Sequence, residues 1–127
     1  MPINSRNKGA VGERELVQIL NDRGMLCRRT VQYCGASGEA ADIVCEGLGC
    51  HVEVKRTEKL KWRQTLDQVK RDSKGKPWVI MHRQSNMRWV VIMDLEHWIR
   101  DSRSAESALA ARKAIIDRVG AEIDGTI

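Results

Sequence analysis

The sequence contains no apolar run long enough to span a membrane. Its longest, such as 89–93, fall far short of the roughly 20 residues a bilayer crossing requires, which excludes a spanning helix. The opening residues, Met-Pro-Ile-Asn-Ser-Arg-Asn-Lys, lack the apolar core of a signal peptide, so the expectation is a protein that is not exported. No C-x-x-C pair occurs among Cys27, Cys34, Cys45 and Cys50. That argues against a structural zinc site, for which His51 would be the sole adjacent helper. A reducing interior argues against a disulfide, so the four cysteines are expected as small buried side chains. Internal repeats, low-complexity stretches and a helix carrying base-reading residues are also missing, so sequence-specific recognition of DNA is not expected.

What is present suits one soluble domain. The chain has 127 residues, 42% of them hydrophobic and 31% charged, which is neither a disordered polyelectrolyte nor a membrane protein. The formal net charge is +5, and its distribution says more than its size. Residues 55–76 hold nine basic and three acidic residues, a local +6, so the remaining chain sums to −1. A concentrated basic segment is the footprint of a polyanionic partner.

Patterning predicts a helix from about residue 5 or 8 to 23, stopped at Gly24, with Leu16, Val17 and Leu20 as its apolar stripe. Glu13 lies three and four residues before Leu16 and Val17, on the same inward stripe, whereas Arg14 and Glu15 are expected to point away. Strands are predicted at 25–33, 41–46 and 50–56, the last two joined by the hairpin signal Gly47-Leu48-Gly49. Alternation along 50–56 puts Val52 and Val54 on one face and His51, Glu53 and Lys55 on the other. A basic helix at 63–73 follows, anchored by Trp62, Leu66 and Val69 and ended by Gly75-Lys76-Pro77. Strands at 78–83 and 88–94 come next, then helices at 95–100 and 104–119, the second capped by Ser104. Ala108, Leu109, Ala111, Ile115 and Ile116 on that last helix are expected to seal the core, with a dimer contact as the alternative. The order is that of a mixed sheet with helices packed on it, an α/β fold.

Glu13, Asp42 and the pair Glu53 and Lys55 converge on one proposed site. Two nearby carboxylates repel unless a cation sits between them. Hard oxygen ligands suit Mg²⁺ or Mn²⁺, which bind through one or two carboxylates together with phosphate oxygens of a substrate. Lys55 shares the Glu53 strand face and can orient the attacking water or neutralise charge developing at phosphorus. Phosphodiester hydrolysis is the chemistry such a set serves. His51 could serve as a ligand or proton shuttle, but it reads first as a partly exposed structural histidine, and His82 and His97 also read as structural.

These motifs resemble the PD-(D/E)xK nuclease superfamily, and within it the archaeal Holliday junction resolvases and small resolvase-like proteins of phages. The resemblance is carried by Lys8-Gly9 with Gly12-Glu13-Arg14-Glu15-Leu16-Val17, by Gly35-Ala36-Ser37-Gly38, by Ala41-Asp42-Ile43-Val44 and by Val52-Glu53-Val54-Lys55. Gln68 and the run 75–83 resemble the phage relatives. About residues 5–100 are covered, and Ala41 stands where the superfamily name has proline. The resemblance implies a restriction-endonuclease-like mixed sheet flanked by helices. It also implies a metal, Mg²⁺ or Mn²⁺, held by Asp42, Glu53 and the carbonyl of Val54. Lys55 would be the catalytic lysine and Glu13 an accessory acid, with Gln68 and Ser37 as further catalytic positions. The implied activity is that of a metal-dependent, structure-specific endodeoxyribonuclease acting on branched DNA.

A single nuclease domain over 1–127 is therefore expected, with a core at about 5–100 and a helical extension at about 101–120. Arg56, Lys59, Lys61, Arg63, Lys70, Arg71, Lys74 and Lys76 are expected to contact phosphates of branched or duplex DNA. The family also implies a homodimer, which lets one site per protomer cut two strands of a symmetric junction. A cytoplasmic location in a bacterial, archaeal or phage-infected cell, no membrane and no small-molecule cofactor are also expected. Two alternatives remain at this point: a branched-DNA-binding protein that keeps the scaffold without catalysis, and a nuclease of the same fold acting on flaps, mismatches or RNA.

Overall fold

A computed structural model of the chain describes residues 5–30, 41–123 and 125. The chain divides into two compact units, residues 1–93 and 94–127. In the first, helix α1 (Ser5–Asp22) is followed by strands β1 (Cys27–Arg29), β2 (Ile43–Cys45) and β3 (His51–Arg56). Helix α2 (Trp62–Ser73) and strands β4 (Trp78–Arg83) and β5 (Val90–Met93) complete it. The five strands form one sheet in the order β1-β2-β3-β4-β5. Pairing is antiparallel except between β3 and β4, where α2 serves as the crossover of a parallel β-α-β unit. The result is the mixed sheet with flanking helices that the sequence predicts.

Both faces of β3 are covered, which explains why its first four residues are all buried. Val52 and Val54 join Leu16 of α1, Ile43, Val79 and Met81 in the main apolar cluster. Register places Ile80 beside Glu53 on the opposite face, and there Ile80 and Val69 of α2 are completely buried. Close packing of α1 on β3 depends on Gly12. A Cβ built there would lie 2.6 Å from Cβ of Arg56 and 2.9 Å from its Cγ, so no larger residue fits without displacing backbone. After α1 the chain turns at Gly24 with φ +90, the left-handed conformation that ends helices and that glycine adopts without a side-chain clash.

Several expectations change. Cys27 and Cys45 are directly opposed across β1 and β2, with Cα atoms 4.1 Å apart, and form a disulfide. Spacing in the sequence does not reveal this pairing, because the register of two three-residue strands is set by the fold. Trp62 is 50% exposed and so does not anchor α2; half-buried Leu66 and buried Val69 do. Glu15, expected to point away, accepts hydrogen bonds from the Arg83 guanidinium and, at 2.9 Å, from Trp89 Nε1, tying α1 to β4 and to the residue preceding β5. Strand β1 is shorter than predicted among the described residues, and residues 31–33 of the predicted strand lie outside them.

The second unit is one helix, α3 (Leu95–Ile123), where two were predicted. Residues 101–104, Asp-Ser-Arg-Ser, include neither glycine nor proline, so nothing breaks the backbone ladder, and Ser104 lies inside the helix. The cap is Asp94, whose Oδ1 accepts the Glu96 N–H at 2.9 Å. Within the helix, buried His97 pairs with Asp101 at 3.2 Å, in keeping with its structural reading. Leu109, Ile115, Ile116 and Val119 on this helix are exposed by 64, 56, 59 and 47%.

Candidate active site

The site begins where the β2–β3 ladder stops. Register between the two strands is confined to Ile43↔Val52. Just beyond it, the Asp42 N–H donates to the Val52 carbonyl at 3.1 Å, and the Asp42 side chain then replaces the next backbone partner. Oδ2 of Asp42 accepts the Val54 N–H at 2.8 Å. From the other side, the N–H of buried Thr30 donates to the Asp42 carbonyl at 3.1 Å, and its hydroxyl donates to the Ala41 carbonyl. Asp42 is thus fixed at both backbone and side chain. Thr30 is a residue that sequence reasoning missed, because nothing in its surroundings marks it.

Glu53 is 2% exposed, a depth at which an ionised carboxylate needs partners. Gln68 Nε2 donates to its Oε1 at 3.2 Å, Lys55 Nζ stands 3.6 Å from Oε1, and His51 Nε2 lies 3.4 Å from Oε2. Gln68 also accepts from Lys55 Nζ at 3.1 Å, so one amide bridges the lysine and the glutamate. Helix α2 therefore contributes a bridging residue to the β3 face. His51 is buried, not partly exposed, and burial pushes its imidazole below the ordinary value.

The carboxyls of Asp42 and Glu53 face one another closely enough for the charge of Glu53 to bear on Asp42. Burial, followed by the negative charge of Glu53, pushes Asp42 up to about 6. Glu53 is raised by burial and eased by the charge of Lys55. Glu13, at the edge of the group, is also raised by burial and further by Asp42, while Arg29 Nε donates to its Oε2 at 2.9 Å and opposes the shift. Arg29 is the second missed residue. The inward-facing Glu13 called for a cation, but the sequence did not say which one.

No group of three or more histidine, cysteine or acidic side chains placed to hold a metal occurs among the described residues. Two carboxylates do converge, and ionising both at this depth is disfavoured unless a cation offsets their charge. Mg²⁺ is commonly held by one or two carboxylates with substrate oxygens and water filling the remaining positions, so this donor set fits.

Ser37 lies outside the described residues. Glu13, Asp42, Glu53, Lys55 and Gln68 are brought together. Of the basic residues, Lys59, Lys61, Arg63, Lys70, Arg71, Lys74 and Lys76 are exposed. Arg56 is half-buried and engaged, donating to Ser85 Oγ at 3.4 Å and lying 3.7 Å from Glu58. Glu58 itself accepts from Lys8 at 2.9 Å and from the Ser85 N–H and hydroxyl, closing the rim around Arg56. Exposed Trp62 adjoins Lys61 and Arg63 at the start of α2.

The family model described as archaeal Holliday junction resolvase (Hjc) matches residues 4–118. The chain belongs to this family. Its function is that of a Holliday junction resolvase, a nuclease of branched DNA in recombination and repair. Among solved structures, Archaeoglobus fulgidus Hjc, a Holliday junction resolvase from an archaeal hyperthermophile, is similar with a TM-score of 0.53 and 20% identity. The match covers 67% of this chain and 76% of that one, and shows a shared fold. No curated protein matches the sequence. None of the described helices is long and apolar enough to cross a membrane.

Proposed function

We propose that this resolvase cuts DNA with a divalent ion, Mg²⁺ or Mn²⁺, held by Asp42, Glu53 and the carbonyl of Val54. The observation that carries the reading is half-buried Asp42 beside buried Glu53, with Lys55 Nζ 3.6 Å from Glu53. Such an ion, when bound, supplies Lewis acidity and neutralises charge at the scissile phosphate. The chain's residues supply the rest. Lys55 is the catalytic lysine: its ammonium orients the attacking water or offsets charge developing on phosphorus. Gln68 holds that ammonium at 3.1 Å, and Glu13, clamped by Arg29, acts as an accessory acid at the site edge. Ser37 belongs to the same constellation on resemblance.

DNA lies along the exposed bases of the 59–76 segment, whose affinity is electrostatic and therefore salt-dependent, with junction shape selecting the substrate. Arg56 acts through its neighbours at the rim. The protein works in the cytoplasm of a bacterial, archaeal or phage-infected cell as a homodimer, and the exposed apolar residues of α3 support the dimer. The test is cleavage of a labelled four-way junction in Mg²⁺ and in EDTA. Asp42→Asn and Lys55→Ala are expected to abolish cutting while binding is retained. A variant cutting at the wild-type rate refutes the assignment, and tight binding by the wild type without nicks in Mg²⁺ or Mn²⁺ shows a scaffold without catalysis.

A further inference from the structure

The structure assigns His51 as a positioning residue that holds Oε2 of Glu53, so that this carboxylate meets a divalent ion in one fixed orientation. The inference rests on the reading of Asp42 and Glu53 as the ion-holding pair. Glu53 has two oxygens, and they are held from different elements. Oε1 belongs to Gln68 on α2 and to Lys55, whereas Oε2 faces His51 Nε2 at 3.4 Å. Two contacts on opposite oxygens fix the plane of the carboxylate; one alone leaves it free to swing about Oε1.

The imidazole is suited to this work because it is itself fixed. His51 is 8% exposed, and its N–H donates to the Pro77 carbonyl at 2.8 Å. Its register partner is Trp78, at the first rung of the parallel β3–β4 ladder. Alternation along β3 puts the ring on the Glu53 face, two residues away. A carboxylate oxygen offers only lone pairs, so the contact calls for the tautomer with hydrogen on Nε2, which then donates. Among the described residues no buried side-chain nitrogen or oxygen lacks a partner. Removing the ring donor would therefore leave a buried carboxylate oxygen short of one, the costly kind of deletion.

The experiment is calorimetric titration of the full-length protein with Mn²⁺ in the absence of DNA, for wild type, His51→Phe, His51→Gln and His51→Asn. Four-way-junction binding in EDTA is measured alongside. Outer partners of metal ligands typically change affinity by about 10–100-fold, and His51→Phe is expected to weaken Mn²⁺ binding within that range while junction binding stays within about twofold. The glutamine amide places a donor near the position of Nε2 and is expected to recover most of the affinity; the shorter asparagine is not. Should the phenylalanine variant fail to fold, the ordering of glutamine over asparagine decides. Equal Mn²⁺ affinity of wild type and His51→Phe, or equal loss in the glutamine and asparagine variants, overturns the assignment. A wild type that takes up no Mn²⁺ overturns the parent reading instead, so the two failures are distinguishable.

Discussion

Asp42→Asn should make the metal-free protein more stable while removing its activity. In the folded chain Asp42 is pushed up to about 6, from an ordinary 3.8, by burial and by the charge of Glu53. A raised folded value means that Asp42 favours the fold below about pH 3.8, and that this advantage is lost as pH rises through about 6. A shift of about two units corresponds to about 3 kcal/mol at about 1.4 kcal/mol per unit. The asparagine amide keeps an oxygen for the Val54 N–H but carries no charge. In EDTA at pH 8 the variant should therefore exceed wild type by about 2–3 kcal/mol, or about 10 °C in Tm for a chain of this size. Paired thermal melts from pH 4 to pH 8 are the assay. The difference between the two proteins should shrink toward zero as pH falls to 4, since wild-type Asp42 is then neutral too. Adding Mg²⁺ should raise the wild-type Tm and leave the variant unmoved. A variant less stable than wild type at pH 8 in EDTA, or a difference that does not vary with pH, refutes the reasoning.

Four other outcomes follow from the same structure. Gly12→Ala puts a Cβ 2.6 Å from that of Arg56, and urea melts should show a loss of about 1–3 kcal/mol together with weakened cutting as α1 and Glu13 shift. Glu58 is pushed down to about 2 by hydrogen bonds from Ser85 and Lys8. Its contribution is thus present above the ordinary 4.5 and lost as pH falls toward 2, and Glu58→Gln should flatten the acid limb of the wild-type stability profile. Replacing Lys59, Lys61 and Arg63 with alanine should lower the slope of log affinity against log salt by about three for both duplex and junction, because each phosphate contact contributes about 0.9. Leu109→Glu with Ile116→Glu should shift sedimentation from dimer to monomer without moving the melting temperature of the sheet unit; an unchanged dimer places the interface elsewhere.

The sequence reveals those parts of the site that depend on local periodicity. Glu53 and Lys55 fall on one face because strand side chains alternate, and Glu13 falls on the inner stripe because helices repeat every three to four residues. Gln68 came from resemblance, and the structure brings it to the same face of β3. What was illegible depends on register between distant segments. Thr30 holds Asp42, Arg29 holds Glu13, and Cys27 meets Cys45 only because β1 pairs with β2 at one offset. No local pattern encodes that offset. Trp62 misled because an aromatic residue at helical spacing reads as an anchor, whereas here it lies at the exposed first turn. The predicted break near residues 101–104 failed for a related reason. Serine caps helices but does not end them, and Asp94 had already provided the cap.

The site and the sheet are linked at a single defect. Had β2 and β3 continued their ladder past Ile43↔Val52, the Val54 N–H would have a backbone partner and the Asp42 carboxyl would have no reason to sit beside Glu53. The interruption gives the amide to a side chain and draws half-buried Asp42 to buried Glu53, at a cost of about 3 kcal/mol on the Asp42 side. The surrounding elements are strong enough to hold this arrangement: the parallel β3–β4 ladder is continuous over six pairs, and buried Leu16 and Val69 brace the sheet from α1 and α2. Residues that increase fold stability at this point should therefore reduce catalysis. The stability gain expected for Asp42→Asn is the local form of that opposition, set by where one strand pairing ends.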